Sequence, residues 1–150
     1  MSTKTTSLAA ETEALRQTYA ALNRNDIPAM IEVFDPQIEW SELVEHPTGG
    51  TYRGLAEVEA HISHARDQWA EGSCEPEQFI VAANENDRKI VVFVNVRARL
   101  KHETEWREGC LADVYSFRNG KVIHVRIFLD RQQALEWAGA PPGSGGRSSC

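Results

Sequence analysis

Apolar side chains recur with helical period in the first third of the chain and with strand period in the second half, and this change of period orders the expected elements. Over residues 7–23 the apolar positions Leu8, Leu15, Tyr19 and Leu22 fall along one stripe of an amphipathic helix. Asn25 or Asp26 then offers a cap to a second, short helix that tolerates Pro28 in its first turn. Met30, Ile31, Val33 and Phe34 give that helix its apolar face, and the run Asp35, Pro36, Gln37 stops it. Ile38 and Trp40 alternate in a first strand over residues 38–42, followed by a loop holding Pro47, Gly49, Gly50 and Gly54. Leu55, Val58, Ile62, Ala65 and Trp69 define a third helix that ends near Gly72. Beyond it, residues 77–84 and 89–100 read as strands. Two further strand-like runs, 104–117 and 121–130, flank Asn119-Gly120, a pair that accepts positive φ in a type I′ hairpin turn. Residues 131–139 close the pattern with a short helix.

Helices followed by a meander predict an α+β domain, with three helices packed on one face of a curled, mostly antiparallel sheet. A sheet covered in that way leaves room for a cavity between its concave face and the first helix. The expected organisation is a flexible N-terminus over 1–6, one domain over 7–138, and a disordered Gly, Pro and Ser tail over 139–150.

Charge and cysteine content narrow the functional classes. With a formal net charge of -6 the chain lacks the basic footprint that nucleic acid or an anionic membrane surface would require. The three cysteines, Cys74, Cys110 and Cys150, form no close pair, so neither a disulfide framework nor a zinc site is expected. No apolar run near the N-terminus is long enough for a signal peptide or membrane span, and a cytoplasmic location is the simplest expectation. Phosphate-binding glycine loops and nucleophile elbows are absent from the sequence. His61 and His64 lie three apart on the third helix, too few ligands for a metal, and no cofactor is expected.

Several residues carry chemistry in this pattern. Glu42 continues the face of Ile38 and Trp40, so either the strand has ended in water or the face lines a pocket where a carboxylate can move a proton. Tyr19, on the stripe of the first helix, is either a core tyrosine or a hydroxyl aimed into the cavity. Asp113 alternates onto one face with Leu111, Tyr115 and Phe117. A carboxyl there requires either pairing with Arg97 or Arg99, or a proton of its own.

The element order, "ALNRNDIPAMIEVFDPQIEW", "GGTYRG" before a helix and "YSFRNGKVIHVRIF" near the end resemble the SnoaL-like branch of the nuclear transport factor 2-like superfamily. The resemblance covers residues 8–138 and implies a cone-shaped α+β barrel with a deep pocket, assembled as a homodimer through the outer face of the sheet. It specifies fold better than function, because that superfamily holds isomerases, polyketide cyclases, dehydratases, epoxide hydrolases and binding modules. Within it, ketosteroid isomerase is similar at three positions. Tyr19 matches its oxyanion tyrosine and Asp113 matches the neutral acid that donates beside it. Glu42 matches the base when "VFDPQIEWSE" is aligned without a gap, and a one-residue gap puts Ser41 there instead.

What this implies is a cofactor-independent acid-base enzyme acting on a small apolar carbonyl compound, as an isomerase or a cyclase. Trp40, Tyr52, Phe93, Arg97 and Phe128 are the expected substrate contacts, with His46 and Tyr52 flanking the pocket mouth. The alternatives are a non-catalytic module that binds a small ligand or dimerises, and an epoxide hydrolase or dehydratase. The last would need a second acid near Arg97, for which Glu108 and Asp130 are the candidates.

Overall fold

The computed structural model describes residues 8–43, 50–83 and 87–141. The expectations for residues 1–6, for His46 and for the tail from residue 142 lie outside them. Helix α1 (Ala9–Asn23) buries Leu15, Thr18, Tyr19 and Ala21. Helix α2 (Ile27–Met30) is capped by Asp26, whose carboxylate accepts from the Ala29 amide, and continues as a 3-10 turn over Ile31–Val33. Strand β1 (Phe34–Ser41) begins earlier than the pattern predicts, with Pro36 inside it. Pairing with β6 shifts register between Phe34 and Glu39, an irregularity that accommodates a residue with no amide proton. The loop expected before the third helix contains an edge strand, β2 (Thr51–Arg53), paired with β1.

Helix α3 (Leu55–Asp67) stops short of Trp69, which instead opens β3 (Trp69–Ala83). Here pairing with β4 (Arg88–Leu100) overrides the helical stripe. Gly72 shows how close the two strands run: a Cβ there would sit 2.7 Å from the Arg97 carbonyl oxygen. Strands β5 (Arg107–Arg118) and β6 (Lys121–Phe128) meet at the predicted hairpin, with φ of 54° at Asn119 and 79° at Gly120. The sheet runs β2-β1-β6-β5-β4-β3, parallel only between β1 and β6. Its edge strands β2 and β3 do not pair, so the expected barrel is an open cone.

Ile90, Val92 and Val94 pack inward with α1, α2 and α3, whereas Val91 and Phe93 pack outward. That two-sided burial explains the unbroken apolar run in β4. The outward layer is α4 (Arg131–Ala138), whose Ala134, Leu135 and Ala138 cover Val91, Phe93, Ala112, Val114 and Phe128. The expectation of helices on one face only is corrected by this fourth helix, which covers the outer face with Ala134, Leu135 and Ala138. Gly139, expected to begin a disordered tail, closes α4 in the left-handed conformation at φ 79°. Cys74 is a free thiol, and Cys110 is disulfide-bonded, contrary to the reading of the cysteines as unpaired. No helix of the described residues is long and apolar enough to cross a membrane.

Candidate functional site

Register across the sheet brings the predicted residues together. Trp40 pairs with Val125, Ser41 with Arg126, and Ile127 with Asp113. Continued one residue past the end of β1, this register sets Glu42 level with Ile127 and hence with Asp113. Two strand spacings separate them, roughly 10 Å in backbone terms. β1 has ended before Glu42, yet the side chain is not in open water: it is 28% exposed and stands in the wall of a cavity. Its amide donates to the Gly50 carbonyl at 2.9 Å, and Leu43 beyond it turns the chain at φ 49°.

On β5, Asp113 faces the main core as alternation predicts, and it is 7% exposed. Neither arginine partners it. Arg97 lies on the outer side, bonded to Glu108 at 3.0 Å and stacked 3.7 Å over Trp106. Arg99 faces Glu71. The partner of Asp113 is Tyr19, whose hydroxyl donates to Oδ2 at 2.7 Å, while the Tyr115 hydroxyl donates to the Tyr19 oxygen at 2.8 Å. The two rings meet edge to face at 6.2 Å. Oδ1 of Asp113 is buried and has no hydrogen-bond partner among the described residues.

Burial dominates the electrostatics of this chain. It pushes the Asp113 carboxyl up to about 7, the hydrogen bond from Tyr19 opposes the rise, and the charge of Glu42 adds to it. Burial also holds the Tyr19 and Tyr115 hydroxyls well above the ordinary tyrosine range, so both keep their protons. The Cys74 thiol, also raised by burial and by the charge of Asp113, goes up to about 12 and is no thiolate nucleophile. When Asp113 is neutral its proton belongs on Oδ1, since Oδ2 accepts from Tyr19. Of the two readings of Tyr19, the geometry matches the core tyrosine whose hydroxyl is satisfied by a neighbour. Tyr19 spends its proton on Asp113, because Tyr115 behind it supplies the donor that completes the relay.

An adjoining cavity of about 120 Å³ is walled by Leu22, Met30, Trp40, Ile62 and Trp69, with Glu42, His61 and Arg66 as its polar members. Arg66 donates to the Leu22 and Asn23 carbonyls at 2.9 Å and lies 4.8 Å over the Trp69 ring, so it closes the C-terminus of α1. Tyr19 and Asp113 are not among the cavity walls; Glu42 couples the two regions through its effect on Asp113. Tyr52 stacks on His61 at 3.8 Å, and His61 Nε2 is hydrogen-bonded to Glu42 Oε1.

The structure thus places Glu42 and Trp40 in the wall of one cavity and Tyr19 with Asp113 outside that wall; Tyr52, an expected substrate contact, is not among the cavity walls and meets them only by stacking on His61. Phe93, Phe128 and Arg97, expected in the pocket, are on the opposite face of the sheet. There Phe93 and Phe128 pack under α4. The error was one of sheet side, and strand alternation cannot choose a side when both are buried. Glu108 goes outward with Arg97, and Asp130 caps α4 by accepting from the Gln133 amide. Neither stands as a second acid in the cavity. His61 and Tyr115 were missed as site residues. His61 lies three residues after Val58 and four before Ala65, on the apolar stripe of α3, and that placement was its signal. Tyr115 shares the face of Asp113 two residues on. Among the described residues no three His, Cys, Asp or Glu converge in a metal-binding group.

A family model for the SnoaL-like domain matches residues 15–125. No curated protein matches the sequence. Among solved structures, an NTF2-like protein of unknown function from Burkholderia pseudomallei K96243 is 24% identical, with a TM-score of 0.68 over 88% of this chain and 99% of that one. SalBIII, an epoxide hydrolase/cyclase-like enzyme with a role in pyran ring formation in the polyether salinomycin, is 15% identical, with a TM-score of 0.67 over 84% and 95%. A ketosteroid isomerase-like fold from Catenulispora acidiphila DSM 44928, in complex with trimethylamine, is 12% identical, with a TM-score of 0.66 over 86% and 94%. At these identities the structures speak for the fold, and the family match extends from α1 to β6: this chain belongs to the SnoaL-like domain family.

Proposed function

We propose that this protein is a cofactor-independent acid-base enzyme that moves a proton at the carbon next to a carbonyl in a small, largely apolar compound, as an isomerase or a cyclase does. The observation that carries the reading is Asp113, a buried carboxyl pushed up to about 7 and held at Oδ2 by a tyrosine relay. In that state Oδ1–H is a donor with no competing partner, suited to an oxygen that gains charge as the proton leaves carbon. Glu42 is the base. It sits in the wall of an apolar cavity, level with Asp113 across one intervening strand. Trp40 supplies an apolar wall. The cavity, about 120 Å³, suits a single six-membered ring; an engineered cavity of about 150 Å³ in another protein takes benzene. A solved relative with a bound small amine supports ligand binding in this fold.

The test is deuterium exchange at the α-carbon of cyclohexanone in D2O, followed by proton NMR. Glu42→Gln should lower the exchange rate by roughly 10²–10⁴ while leaving binding of the ketone in place. Full exchange by the variant would remove Glu42 from the role of base.

A second reading, a module that binds a small ligand without turning it over, draws on the fact that Asp113 is absent from the cavity walls. It predicts that cyclohexanone binds to the wild-type protein and that its α-protons do not exchange.

A further inference from the structure

We infer that His61 is the positioning residue of this site: clamped by Tyr52, it holds one oxygen of Glu42 and leaves the other to face the cavity. This rests on the reading of Glu42 as the base. The two side chains come from different elements, α3 and the segment just past β1, and both stand in the cavity wall at 21% and 28% exposure. The imidazole cannot wander. Tyr52 on β2 lies against its face at 3.8 Å and 16°, and Trp40 meets it at 6.5 Å and 63°. One turn before it Val58 is fully buried, and the next residue, Ile62, is 5% exposed, so α3 is anchored on both sides of the histidine.

Glu42 needs such a partner. A glutamate just past the end of a strand has three side-chain torsions to fix, and their freedom opposes any single orientation. A hydrogen bond to a ring already fixed by stacking removes much of that freedom. The chemistry also sets the tautomer. A carboxylate only accepts, so the bond from Nε2 to Oε1 requires a proton on Nε2. The remaining oxygen, Oε2, is then the one free to take a proton from a ligand.

Two measurements on the full chain test this. The first needs no substrate: long-range proton–nitrogen-15 correlation spectra of the imidazoles, with His61 assigned by the signal missing in His61→Phe. Nitrogen shifts that report a proton on Nε2, and that move in Glu42→Gln, are expected. A proton on Nδ1 alone, or a His61 signal indifferent to Glu42→Gln, overturns the pairing. The second uses cyclohexanone exchange. His61→Phe keeps a ring to stack on Tyr52 but donates nothing, and should lower kcat roughly 10²-fold with KM little changed, the scale of a misplaced catalytic group. His61→Gln returns an N–H near the same place and should recover at least about tenfold of that loss. Equal rates in the two variants, whether high or low, overturn the positioning role. Wild-type protein that shows the Nε2 proton but exchanges no ketone refutes the base assignment and leaves the pairing standing, so the two claims fail separately.

Discussion

Asp113→Asn removes a titration while keeping the shape of the side chain, and its consequence for stability can be worked from the structure. In the folded protein the Asp113 carboxyl is raised from 3.8 to about 7, chiefly by burial. The native state therefore binds a proton more tightly than the unfolded chain does. Between those two values the folded form holds more of the proton, and stability contributed by this group falls as pH rises. The contribution is fully present below about pH 4 and lost once pH has passed about 7. A difference of about three pH units at ~1.4 kcal/mol each gives about 4 kcal/mol across the window. Asparagine can still accept from Tyr19, and its amide does not ionise; leaving that amide imperfectly paired costs about 1–3 kcal/mol. The variant should thus be less stable than wild type near pH 4 and equal or more stable at pH 8. The assay is urea unfolding at half-unit steps from pH 4 to 8.5, analysed as the wild-type minus variant difference, which cancels the titrating groups that do not interact with Asp113. A flat difference would refute the reasoning, as would carbon-13 NMR showing the Asp113 carboxyl in the ordinary aspartate range.

The causes acting on Asp113 can be separated. Glu42→Gln removes a charge that raises the Asp113 carboxyl and should lower its midpoint, whereas Tyr19→Phe removes a bond that lowers it and should raise the midpoint further, both read by carbon-13 titration. Tyr19→Phe also strands Asp113 Oδ2 and the Tyr115 hydroxyl, and should cost about 1–3 kcal/mol in chemical unfolding, more than Tyr115→Phe, which strands no carboxyl. Gly72→Ala forces a methyl against the β4 backbone at 2.7 Å and should cost about 1–3 kcal/mol in the same assay. Asp26→Ala deletes the cap of α2 and should cost about 1 kcal/mol, with the midpoint shifted and the denaturant slope unchanged.

Some of this protein is determined locally and is legible from the sequence. The stripe of α1, the Asp26 cap, the Asn119-Gly120 turn and the alternation that puts Asp113, Tyr115 and Phe117 on one face each depend on residues a few positions apart. Local rules suffice for them because backbone geometry repeats every 3.6 or 2 residues whatever lies across the fold. Other features were decided only when distant segments met. Trp69 joins β3, and not α3, because β4 offers it a strand to pair with. Phe93 and Phe128 face outward because α4 covers a side of the sheet that alternation cannot identify. The proton of Tyr19 goes to Asp113 because the fold brings together two residues 94 positions apart, on α1 and β5, and His61 meets Glu42 because α3 packs against the end of β1. The sequence by itself determined which side chains share a face; the tertiary structure decided which faces meet. Burial, which raises the carboxyl of Asp113, exists only once they do.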